Sequence, residues 1–196
     1  MRAKFKIAVI TIVLAVAGSI GWCRYSEHRE YLELLSELSP VEDSPKMCGI
    51  RLRTKIDVGN KDELRKYGIM EVRDVGRGWE CVFLPANATV DRKYELLIGK
   101  RTKEVLQIEM AWDIEKPETD ALIEKIVDEW RNLAKEAGTV IHEFELSNNS
   151  WVAPCFQFKY YEKLECGAYV NEDGIVTGAR ASLSASWQLW DFEGLR

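Results

Sequence analysis

Residues 7–22 form an uninterrupted uncharged run, and Arg2, Lys4 and Lys6 stand in front of it. As a helix this run spans about 24 Å against roughly 30 Å of hydrocarbon. Cations on one side only predict a membrane anchor that places everything after Cys23 outside the cytoplasm. Ala15 and Ala17 offer the small residues of a processing site. The alternative is therefore a signal peptide cleaved near Ala17, leaving a secreted or periplasmic chain.

Beyond Cys23 the pattern changes. Tyr31, Leu32, Leu34, Leu35 and Leu38 recur at helical spacing until Pro40, which predicts a stalk helix followed by a linker that ends near Met47. Ile50, Leu52, Ile56 and Val58 alternate with Arg51, Arg53, Lys55 and Asp57. That period predicts a half-buried strand with a solvated basic face. Asn60 caps a short helix that Gly68 stops. Residues 69–75 and 79–84 flank Gly76, Arg77 and Gly78 as a hairpin, with Trp79, Cys81 and Phe83 on one face. Residues 94–98 and 104–112 make a second hairpin, with Leu106, Ile108, Met110 and Trp112 turned inward.

Residues 117–137 carry the best helical stripe of the body, from Leu122 through Ile126 and Trp130 to Ala137, with Pro117 in its first turn and Gly138 at its end. Val140, His142, Phe144 and Leu146 then alternate with Ile141, Glu143 and Glu145. Further strands are expected over 151–161, 166–170 and 175–190. The last has Ala181, Leu183, Ala185, Trp187 and Leu189 set against serines and Gln188. Strands, helix, strands in this order predict an α+β domain: a mainly antiparallel sheet with one long helix packed on one face, preceded by the N-terminal membrane segment. The resulting division is 1–23 signal-anchor or signal peptide, 24–47 helical stalk and linker, and 48–196 extracytoplasmic domain.

Charge narrows the partners. Without the three basic residues of the leader, 24 Lys+Arg face 32 Asp+Glu, a net charge of −8. A nucleic-acid partner needs a net basic face, so this domain is not expected to bind one. The membrane is met through the N-terminal segment alone. Export also bears on the cysteines. Cys48, Cys81, Cys155 and Cys166 lie in the body. An oxidising compartment favours the sequence-local bridges Cys48–Cys81 and Cys155–Cys166. No Cys-x-x-Cys is present and His28 and His142 complete no ligand spacing, so no metal or other cofactor is expected.

Catalytic signatures are absent too: no nucleophile elbow, zinc helix, phosphate loop or dinucleotide fingerprint occurs. His142 is the one histidine inside the body. With a carboxylate or a cysteine it defines the alternative reading, a small extracytoplasmic hydrolase, yet its alternation with Val140 and Phe144 points to a sheet's apolar face. The C-terminal strands are dense in aromatics, and most of these are core. Tyr160 and Tyr161 are adjacent, and Trp187 and Trp190 are three apart, so on a strand one of each pair escapes the core. These four are the candidate binding residues, for a protein or glycan ligand. The sequence predicts a tethered binding domain of the cell envelope.

Overall fold

A computed structural model describes residues 25–26, 29–38, 40–113, 120–148, 151–170 and 176–195. The chain divides into two compact units, Met1–Leu38 and Ser39–Arg196. In the first, residues 29–37 form helix α1, where Arg29 and Glu33 pair one turn apart at 2.9 Å. The expected membrane segment and Cys23 lie outside the described residues. Among the described residues, no helix is long and apolar enough to cross a membrane.

The second unit opens with a small hairpin, β1 (Lys46–Met47) and β2 (Ile50–Arg51), followed by helix α2 (Lys61–Lys66). Strands β3 (Ile69–Asp74), β4 (Gly78–Phe83), β5 (Arg92–Gly99) and β6 (Val105–Asp113) make a meander. Helix α3 (Asp120–Ala137) follows, and then a second meander of β7 (His142–Asn148), β8 (Trp151–Gln157), β9 (Lys163–Val170) and β10 (Val176–Ser184). Helix α4 (Trp187–Glu193) is the last element. The eight long strands form one sheet in the order β3-β4-β5-β6-β10-β9-β8-β7. Each pairing is antiparallel. The two meanders therefore join at their final strands, with Met110 opposite Ala181 and Ile108 opposite Leu183. The fold is α+β, a large antiparallel sheet with a few helices.

Strand alternation explains the core. Leu96 and Ile98 of β5, Leu106, Ile108 and Met110 of β6, Leu164 of β9, and Ala181 and Leu183 of β10 are all buried. Among the described side chains of α3, Ile126, Trp130, Ala134 and Ala137 are buried, a stripe at helical spacing. Two ion pairs tie this helix to strands: Glu129 to Arg92 of β5 at 2.6 Å, and Arg131 to Glu143 of β7 at 3.4 Å. The short helix α2 starts as its sequence predicts, the Asn60 side chain accepting from the Asp62 and Glu63 amides at 3.0 and 3.4 Å.

Several expectations are corrected. The strand predicted across residues 50–58 is only two residues long. Leu52 and Ile56 are nonetheless fully buried, held in a turn-rich path by Arg53 N–H to the Val105 carbonyl at 2.8 Å and Ile56 N–H to the Lys103 carbonyl at 2.9 Å. Arg53 does not lie on a solvated face. Its guanidinium is buried and donates to Glu104 at 3.1 Å. The alternation predicted over 175–190 holds only to Ser184. Ser186 is then the N-cap of α4, so Trp187, Leu189 and Trp190 are helical. Strand β8 ends at Gln157 rather than Tyr161, and Lys159–Tyr161 form a 3-10 turn.

Candidate binding cleft

The face of the central strands opposite the core is polar. On β6, Gln107 and Glu109 alternate with buried Leu106, Ile108 and Met110. On β10, exposed Arg180 and the small, buried Ser182 and Ser184 alternate with Ala179, Ala181 and Leu183, which turn to the core. Pairing aligns these side chains in rows. Ser182 lies between Glu109 of β6 and Glu165 of β9, and Ser184 lies between Gln107 and Lys163. Gln107 Nε2 donates to Ser182 Oγ at 2.7 Å and to Glu109 at 3.2 Å. Lys163 forms an ion pair with Glu165 on its own strand.

A cleft of about 440 Å³ stands over this floor, within the usual range for ligand sites. Aromatic side chains wall it: Phe144 of β7, Tyr161 of the β8–β9 turn, and Trp187 and Trp190 of α4. Tyr161 is 61 % exposed, Trp187 45 % and Phe144 41 %. Large rings left this open around one concavity are unusual for side chains whose only role is packing.

The walls are held by the fold. Helix α4 is fastened at its C-terminal end, where the buried Glu193 carboxylate accepts from the Arg101 and Thr102 amides at 2.9 and 2.8 Å and from Thr102 Oγ1 at 2.6 Å. Arg101 also donates to the Phe192 carbonyl and stacks 4.2 Å from that ring's centre. Arg77, in the β3–β4 turn, donates to the Gly194 carbonyl at 2.6 Å. The turn between β5 and β6 is thus a socket for α4. On the other wall, Tyr160 and Tyr161 both take positive φ, at 65° and 62°. That left-handed pair reverses the chain between β8 and β9 within a few residues. The Phe158 amide meets the Glu162 carbonyl at 2.8 Å, and the buried Glu162 side chain accepts from Ser44 Oγ at 2.9 Å.

Of the four aromatic candidates, Tyr161, Trp187 and Trp190 are brought together in the cleft. Tyr160 is not: it is half-buried, its ring 5.0 Å from Lys159 Nζ. Phe144 and the polar floor escape a reading of the sequence, because β6 and β10 meet only through long-range pairing. The one available signal is that Arg180 and Ser182 fall on the polar phase of the clearest alternating strand.

The candidate catalytic groups are not assembled. His142 sits exposed on the edge strand β7, opposite Gln157, rather than on a buried apolar face. Cys155 and Cys166 are on neighbouring strands, but Cys155 is opposite Glu165. One residue out of step, the two thiols project to opposite faces of the sheet. Cys48, Cys81, Cys155 and Cys166 are all free, so neither expected bridge is formed in this structure. Burial pushes the Cys48, Cys81 and Cys155 thiols up to about 11, and Cys166 higher still. Such thiols stay protonated near neutrality and are poor nucleophiles. Burial also raises Glu109 above the ordinary carboxylate range; Glu95 and Glu80 act in the same sense and Arg180 against it. Among the described residues, no group of His, Cys, Asp and Glu is arranged to hold a metal ion.

Comparison with protein-family models, with curated proteins and with solved structures returns no match for this chain.

Proposed function

We propose that this chain is an exported, membrane-tethered binding domain that captures a glycan in the cleft beside α4. In this reading α3 covers the apolar face of the sheet and leaves the polar face for the ligand. The observation that carries it is the division of labour in the cleft, with aromatic rings around the sides and hydrogen-bonding side chains across the floor. A sugar ring has the matching construction, with flat C–H faces that stack on aromatics and hydroxyl edges that both donate and accept. Gln107, Gln157, Ser182 and Ser184 supply neutral groups able to do both.

A peptide finds less to hold. Strands β6, β9 and β10 are paired on both sides, so no free backbone edge is available for strand addition at the floor. A protein's apolar anchor would meet polar groups where it needs a dry pocket. The hydrolase alternative is also less well supported, since His142 has no activated thiol beside it.

The test is a glycan array probed with the full chain in detergent, alongside Trp187→Ala and Tyr161→Ala. Retention on at least one glycan class is expected. Each variant should weaken it by about thirtyfold while its thermal midpoint stays close to that of the parent. Retention that both variants leave intact would remove the cleft from the reading. No retention on any glycan would remove the glycan.

A further inference from the structure

Arg180 stands apart from the other cations on the open sheet face. Lys163 is paired with Glu165, Arg73 with Glu71 and Lys93 with Asp113. Among the described residues, Arg180 forms no hydrogen bond and no ion pair, although the domain carries an excess of acid. Its cross-strand neighbours are both small, Gly167 of β9 and Ala111 of β6. A Cβ added at Gly167 would lie 3.4 Å from Arg180 Nε and 3.7 Å from its Cγ. The arginine stem is thus laid across a glycine, Arg180 lines the cleft, and among the described residues its guanidinium has no hydrogen-bond or ion-pair partner. Its charge acts on Glu109, opposing the rise that burial causes there.

A guanidinium presents a planar fork of donors that matches a carboxylate in bidentate geometry. Its position beside a floor of Ser and Gln places that fork where a substituent of a stacked sugar would fall. We infer that the cleft selects acidic glycans, with Arg180 binding the carboxylate of a uronic-acid-type residue. The inference rests on the glycan reading above and specifies its ligand. The unpaired arginine is what a neutral sugar site would not require, since a guanidinium aimed at hydroxyls alone gains little over Gln or Asn.

The test measures binding of the full chain, in detergent, to tetrasaccharides of galacturonate, of mannuronate and of alternating glucuronate and N-acetylglucosamine. Each is offered as the free acid and as its methyl ester, with cellotetraose and chitotetraose as neutral probes. At least one acid should bind about tenfold or more tightly than its own ester, and raised salt should narrow the gap. Arg180→Gln should abolish the preference with the melting curve unchanged. Arg180→Lys should retain part of it, because charge remains while the fork is lost. Esters binding as well as acids would overturn the inference and leave the glycan reading standing, as would neutral probes binding while no acid does. A preference that survives in Arg180→Gln would also overturn it. If no acid, ester or neutral saccharide binds, the glycan reading fails along with it.

Discussion

At the scale of single residues, the desolvated thiols make the most direct claim on experiment. Removal from water raises Cys48, Cys81 and Cys155 from an ordinary value near 9.0 to about 11. Between those values the native state holds protons that the unfolded state has released. The stability these thiols contribute is therefore complete below about pH 9 and is lost as pH rises through 11. Urea melts at pH 7, 8 and 10.5 should show a midpoint that is level over the first step and falls over the second. A variant with Cys155→Ser should alkylate with iodoacetamide no faster than the parent at pH 8 without denaturant, as the remaining buried thiols are protected alike. Rapid native alkylation mapped to Cys81 or Cys166 would mean that the interior around them opens readily.

The same residues show where sequence reading stops. Burial of Cys81 between Trp79 and Phe83 was legible, because alternation alone puts Cys81 on the inner face. The pairing of Cys155 with Cys166 was not legible, because it depends on whether the two strands meet in step. Cys155 faces Glu165 instead. One residue of register decides between a bridge and two thiols on opposite faces, and no local pattern encodes it. Arg53 makes a similar point. Its place in a basic alternation reads as solvated, but a buried Glu104 far along the chain takes it inside.

At the scale of elements, α4 is the piece whose identity was missed, and the reason is physical. Trp187, Leu189 and Trp190 satisfy a period of two as a continuation of β10. Seven residues of helix gain little from propensity alone. What makes them helical lies elsewhere: Glu193 reaches the Arg101 and Thr102 amides, and Arg77 takes the Gly194 carbonyl. Gly194, at φ 71°, closes the helix in the left-handed region where glycine is at ease. By contrast β4, β5 and β6 carry their own periodicity and emerge nearly as read.

This anchoring predicts a coupled pair of variants. Glu193→Ala strands buried amides and should destabilise the domain by on the order of 3 kcal/mol in urea denaturation. Gly99→Ala should cost a comparable amount, since its Cβ would lie 2.4 Å from Glu193 Cδ. Combined, the two should cost clearly less than their sum, because the clash disappears with the carboxylate. Strict additivity would mean that Gly99 matters for some reason other than the seat of α4.

At the scale of the whole molecule, the chain folds as two successive four-stranded meanders whose last strands meet at the centre. Antiparallel pairing within each meander could be anticipated from hairpin turns such as Gly76–Gly78. The central β6–β10 seam could not, since it joins segments separated by α3 and three intervening strands. The floor of the cleft straddles that seam, and so it exists only once both halves are formed. The proposed placement of this domain outside the cytoplasm has its own test. A reporter active only outside the cytoplasm, fused after Arg196, should be functional, and a cytoplasm-only reporter in the same position silent. Reversed results would refute export. Carbonate extraction should leave the chain in the membrane fraction if residues 7–22 are retained as an anchor.

The successive left-handed residues Tyr160 and Tyr161 bear on how any ligand would be held. Two non-glycine residues at positive φ raise the energy of the backbone by on the order of 1 kcal/mol each or more. The folded sheet and the buried Glu162 meet that cost before a ligand arrives. The Tyr161 ring is thus already in place at the rim, and capture requires little further ordering of the turn. Preorganisation of this kind leaves association fast and puts discrimination between ligands into how long each one stays.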